Sequence, residues 1–145
     1  MKKQRIKGIV LVVVCFICVL CICSGFYRVQ SKEFSEIPDA VNSTRFNTTE
    51  HLTVVANQEE IADKEELAKQ IIKMCRENSF QSIKFSYDMV CPTELQISVY
   101  KTEKDLNDNK QFCEIAYLLD EENGEYDIIH NPEKFILYVD GEKVE

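Results

Sequence analysis

Nine side chains in this sequence are soft metal ligands, nucleophiles or bases near neutral pH: seven cysteines and two histidines. Four of the cysteines, Cys15, Cys18, Cys21 and Cys23, crowd the stretch VCFICVLCIC. The C-x-x-C at Cys15 and Cys18 is a metal or redox spacing only if the chain folds around it. On a helix, Cys15, Cys18 and Cys21 share one drifting stripe, and Cys23 lies roughly 200° around the axis from Cys21 at about 100° per residue. One helix cannot surround a tetrahedral ion, which needs ligands converging from several directions. Buried cysteine otherwise behaves as a small hydrophobe, so these four read as apolar filler.

That leaves Cys75, Cys91, Cys113, His51 and His130. Cys75 falls on the apolar face of a helical run, and Cys113 opens an alternating run. Both read as core thiols, although in an oxidising compartment an odd set of three allows one pair to close. Cys91 stands apart, in the loop MVCPTE before Pro92, and is the one candidate reactive thiol. A nucleophilic cysteine needs a base nearby. Only His51 and His130 exist, and His130 ends an apolar run from which it can approach. Zinc wants about four ligands at paired spacing. Cys75, Cys91 and Cys113 stand singly, 16 and 22 residues apart. The stretch DLNDNKQFCE lacks the turn glycine and closing glutamate of a calcium loop. DEENGEYD, residues 120–127, reads as a solvated charged hairpin tip. With four glycines and no tryptophan, neither a phosphate-cradling loop nor a sugar-stacking platform is visible. No catalytic residue, metal ligand or cofactor is therefore assigned, and the expected protein is not an enzyme. Tyr100 and Tyr138 alternate with inward-facing positions on two strand-like runs. They are the candidate interaction surface, with packing beneath a further layer as the alternative.

The elements that carry these residues divide the 145-residue chain by charge. Residues 1–7 hold Lys2, Lys3, Arg5 and Lys7 without an acid, whereas all 25 Asp/Glu lie beyond residue 27. An acidic body behind a basic tip argues against nucleic-acid binding, which needs a basic face. Gly8 to Tyr27 is a run of 20 uncharged residues, the length that spans a bilayer core as a helix. The basic tip places the N-terminus in the cytoplasm and the acidic body outside it. Residues 8–27 thus predict a transmembrane anchor in contact with the lipid bilayer, as an uncleaved signal anchor. A cleaved signal peptide is the competing reading, but no A-x-A site is present and no small residue precedes Cys21 or Cys23.

Residues 28–50 are polar and unperiodic and predict a flexible linker, with two N-x-[ST] triplets at Asn42 and Asn47. Residues 51–145 predict an extracytoplasmic α+β domain. HLTVVA reads as a short strand. NQEEIADKEELAKQIIKMCRENS reads as an amphipathic helix with two capping candidates, Asn57 with Glu60 and Asp63 with Glu66. The period then changes to two in SIKFSYD, LQISVY and FCEIAYLL, with YDIIH and KFILYVD following and Asn123-Gly124 as a hairpin signal. The expected arrangement is one helix on a four- to five-stranded antiparallel meander.

This element order resembles cystatin-like and related helix-on-curved-sheet folds across residues 51–139. It also resembles the outer domains of bacterial conjugation and secretion components, which pair one N-terminal anchor with such a domain. The cystatin Q-x-V-x-G hairpin loop is missing from MVCPTE, so protease inhibition is not implied. The expected function is a membrane-anchored, extracytoplasmic, non-catalytic module that binds a protein partner at the cell envelope. The alternatives are a small Cys91/His130 enzyme, or an anchored immunity- or conjugation-type accessory protein.

Overall fold

Alternating apolar residues build strands that need a cover, and in the computed structural model one helix supplies it. The structure describes residues 36–87, 91–120 and 126–145; the expected anchor 8–27 lies outside them. Residues 37–145 form one compact unit. Its elements are β1 (Asp39–Phe46), β2 (Thr49–Val55), α1 (Lys64–Glu77), β3 (Glu94–Tyr100), α2 (Glu103–Asn107), β4 (Cys113–Leu119), a 3-10 turn (Pro132–Lys134), β5 (Phe135–Val139) and β6 (Glu142–Lys143). The six strands lie side by side in chain order. Every neighbouring pair is antiparallel except β2 and β3, which run parallel.

The architecture is α+β with a mostly antiparallel sheet, but it departs from the expected meander at three places. First, the chain from 39 to 50, expected as linker, holds β1 and the start of β2. β1 reads as unperiodic because its register slips between Ala40 and Asn42. A bulge there shifts the in–out alternation by one, so Ala40 points to the core before it, and Ser43 and Arg45 after it. Second, two strands precede the helix rather than one. α1 then carries the chain back across the sheet, and β3 enters parallel to β2, as a crossover helix requires. A cystatin-like antiparallel order is therefore not what forms. Third, SIKFSYD and YDIIH are not strands; residues 83–87 are irregular, and residues 128–130 form a turn. The Asn123-Gly124 hairpin signal falls on residues outside those described.

The core lies between α1 and one sheet face. Leu67, Ala68, Ile71, Ile72, Met74 and Cys75 are the buried stripe of α1. They meet Leu52, Val54, Leu95, Ile97, Val99, Cys113, Ile115 and Val139, and the helix packs on β4 and β5. Cys75 and Cys113 are free, buried thiols, as expected of core residues. Burial pushes the Cys113 thiol up to about 11, and Cys75 higher still, so neither forms a thiolate near neutral pH.

Of the two capping candidates, the second starts the helix. Asp63 Oδ1 accepts from the amides of Glu65 at 2.9 Å and Glu66 at 3.1 Å. Asn57 instead adopts a left-handed φ of 58° and donates its side-chain amide to the Ile37 carbonyl at 2.8 Å. Loss of a cap leaves helix-end amides without partners, so Asp63→Ala should lower unfolding stability by about 1 kcal/mol. Urea denaturation checks this, and Asp63→Asn should recover most of the loss. At the far end of the sheet, Asp140 and Gly141 have φ of 52° and 83°. Two successive positive φ values make the two-residue turn that joins β5 to β6.

Candidate functional site

Cys91, the thiol singled out from the sequence, does meet His130, and Asp127 joins them. One ligating atom from each of the three lies within 4.8 Å of the other two. The residues come from two loops, and the backbone explains why the loops meet. Pro92, directly after Cys91, is fully buried, and its carbonyl accepts from the Ile128 amide at 3.1 Å. The next residue, Thr93, donates its amide to the Thr48 carbonyl at 2.9 Å. Ile128 sends its side chain fully into the core, and its carbonyl accepts from Arg76 Nε of α1 at 3.1 Å. Both loops are thus held to the sheet and the helix beneath them.

Asp127 shapes its own loop. Its Oδ1 accepts the amides of Ile129 at 2.9 Å and His130 at 2.8 Å. An aspartate folded onto amides two and three residues ahead forms a turn in place of a strand. That is why YDIIH, apolar enough for a strand, bends here. The same carboxylate meets the imidazole, with Oδ2 2.8 Å from His130 Nδ1. Partial burial works to raise the Asp127 carboxyl. It is outweighed by the hydrogen bonds from the His130 amide and ring and the Ile129 amide, which hold the group below the usual carboxylate range. Cys91 moves the other way: burial raises its thiol, the Asp127 charge raises it further, and Arg45 partly opposes both. Its Sγ donates to the Tyr87 carbonyl at 3.8 Å.

The arrangement resembles a thiol–imidazole–carboxylate set in connectivity, but its electrostatics differ from those of an activated nucleophile. A nucleophilic cysteine is made by a lowered thiol pKa beside a cation. Here the carboxylate acts on the thiol as well as on the ring. The sulfur, imidazole nitrogen and carboxylate oxygen do form a mixed ligand set, of the kind taken by borderline-soft divalent ions. Asp127 was not visible as a member from the sequence, where it reads as part of an acidic hairpin tip. The D-x-x-H spacing of Asp127 and His130 is the signal that could have found it. His51 lies elsewhere, exposed on β2, whose register neighbours there are Thr44 and Gln96.

The two tyrosines of the expected interaction surface separate. Tyr100 is buried, pairs in register with Val55, which is also buried, and reaches Asn109 Oδ1 through its hydroxyl at 3.5 Å. α2 packs against β3 beside it. Tyr100 is therefore covered by the polar stretch KTEKDLNDNK and does not form a surface. Tyr138 is half-buried, on the sheet face opposite α1. Its register partner is Ala116, and the next outward pair is Leu118 with Ile136. All four are half-buried and make a small apolar patch. On the same face, β1 to β3 present Asn42, Thr44, His51, Thr53, Gln96 and Ser98 around a shallow polar recess.

Among the described residues no helix is long and apolar enough to cross a membrane. No family model, curated protein or solved structure matches the chain.

Proposed function

We propose that this chain is a single-pass membrane protein whose α+β unit faces outward from the cytoplasm and binds another protein at the cell envelope. The carrying observation is the sheet face opposite α1, where among the described residues no helix lies over the pairs of β4 with β5. Ala116, Leu118, Ile136 and Tyr138 give it an apolar centre beside hydrogen-bonding side chains from β1 to β3. An apolar core with a polar margin is the usual composition of a protein interface. The anchor and topology rest on the uncharged run 8–27 and the four basic residues ahead of it, by the length and positive-inside rules.

Photo-crosslinking in intact cells tests the reading. A photoreactive residue at position 118 or 138 should trap one discrete partner, and the adduct should vanish with Ile136→Asp. The same probe at 66 or 70, on the exposed side of α1, should not trap it. Equal adducts from both faces, or none from the sheet face, would overturn the interface. Accessibility of Cys91 to a membrane-impermeant maleimide only after lysis would overturn the topology.

A Cys91/His130 enzyme is the second reading, favoured by the meeting of Cys91, His130 and Asp127. Cys91→Ser that leaves the cellular phenotype intact would remove it. An immunity- or conjugation-type accessory role through the anchor is separated by exchanging residues 8–27 for an unrelated transmembrane helix. A role carried by the sheet face survives that exchange.

A further inference from the structure

The geometry points to a divalent transition-metal site, of Zn2+ character, formed by Cys91, Asp127 and His130. The site stands whether or not the sheet face binds a partner. Three different donor atoms converge from two loops, each within 4.8 Å of the others. Around a tetrahedral zinc with bonds of about 2.0–2.3 Å, ligand atoms sit roughly 3.3–3.8 Å apart. Side-chain rotations of about an ångström therefore bring this set to ligating distance. Asp127 and His130 already touch at 2.8 Å, so the ion needs to part them only slightly.

The donor chemistry selects the ion. A thiolate is a poor ligand for calcium or magnesium, which take oxygen sets. A sulfur–nitrogen–oxygen set suits zinc and its neighbours. Cys91 would bind as thiolate, its proton passing to solvent. His130 would bind through Nδ1 as the neutral ring, with its proton on the other nitrogen. Asp127 would bind through Oδ2, while Oδ1 keeps the two backbone amides that fix its loop. Three protein ligands leave a fourth position for water or for a group from a partner. The backbone bond from Ile128 to Pro92 and the grip of Arg76 on Ile128 hold the loops before any ion arrives. Bound there, the ion would cross-link residue 91, just ahead of β3, to residues 127 and 130 ahead of the 3-10 turn.

The test uses the full-length chain with Cys15, Cys18, Cys21 and Cys23 changed to alanine, so that the only other thiols are the buried Cys75 and Cys113. Titration with Co2+ should give a thiolate-to-cobalt charge-transfer band that saturates at one equivalent, and Zn2+ should displace it. Cys91→Ser should abolish the band with the far-ultraviolet circular dichroism unchanged. Asp127→Asn and His130→Gln should each weaken binding by about 10- to 100-fold. The same band in Cys91→Ser, or no band with excess Co2+ in the parent, would overturn the site. If Cys91→Ser does not fold, His130→Gln with parent-like affinity would overturn it equally.

Discussion

Phe80→Ala should destabilise the folded unit more than any single surface change, by about 3–5 kcal/mol. Phe80 is fully buried, two residues past the helix end at Asn78, and its ring meets Phe85 edge-on at 6.0 Å. Phe85 stacks on Tyr87 at 5.6 Å. The Tyr87 hydroxyl donates to the Cys75 carbonyl at 2.6 Å, tying this row of rings to the last turn of α1. Removing the first ring leaves a cavity and also withdraws an aromatic pair, which adds roughly 0.5–1.5 kcal/mol beyond burial. Against a typical total of about 5–15 kcal/mol the loss is large, and the thermal midpoint should fall by on the order of 20 °C. Phe80→Leu keeps most of the volume and should lose less than half as much. Urea and thermal unfolding of the full-length chain measure both variants. An unshifted midpoint for Phe80→Ala would mean that residues 80–87 are not part of the core.

The same segment shows what alternation reports and what it does not. Ile83, Phe85 and Tyr87 alternate with Lys84, Ser86 and Asp88, a period of two that predicts a strand. The pattern correctly marked a buried side, since Phe85 is buried and Ile83 and Tyr87 pack against the core. It carried no information about a ladder partner. The backbone here is satisfied by side chains instead. Asn78 takes both the amide and the carbonyl of Phe85, at 2.8 and 2.9 Å, and Asp39 accepts from the amides of Gln81 and Ser82. Asn78 and Asp39 lie outside the alternating window, so no local pattern contains them.

Elements whose own residues decide the outcome were legible. LQISVY, FCEIAYLL and KFILYVD became β3, β4 and β5, and the Asp63 cap set the start of α1. Elements decided by a partner were not. β1 is an edge strand with a bulge, and its exposed polar residues look like linker. The parallel pairing of β2 with β3 depends on where α1 lays the chain down. In the candidate site Cys91 and His130 were legible as types and Asp127 was not, because its role comes from a turn that its own side chain creates. Tyr100 alternated as expected, but α2 covers it from a stretch whose composition reads as loop.

Arg45→Met should unfold the protein more readily by about 3 kcal/mol, the second largest effect, because it strands a buried charge. Glu50 is the one buried charged side chain among the described residues, only 3% exposed. It points to the helix side of the sheet. Arg45, its register partner on β1, donates from Nε to Glu50 Oε2 at 2.6 Å, and Ser43 donates to the other oxygen. The pair is asymmetric, since the Arg45 side chain is 27% exposed. Without Glu50, the guanidinium can turn to water. Without Arg45, the carboxylate has no such exit and must stay buried, become protonated or force the strand end open. Glu50→Gln, which keeps the shape and the Ser43 bond, should therefore lose only about 1–2 kcal/mol. The double change Arg45→Met with Glu50→Leu should recover most of the loss or exceed the parent, because no charge is left to desolvate. Urea unfolding of these proteins together with the Glu50→Leu single variant closes the cycle and gives the coupling energy. Arg45→Met within about 0.5 kcal/mol of the parent, the usual range of a surface change, would show that water already reaches Glu50. A double variant no better than Arg45→Met alone would show that the pair holds the β1–β2 end in place by geometry rather than by neutralising charge.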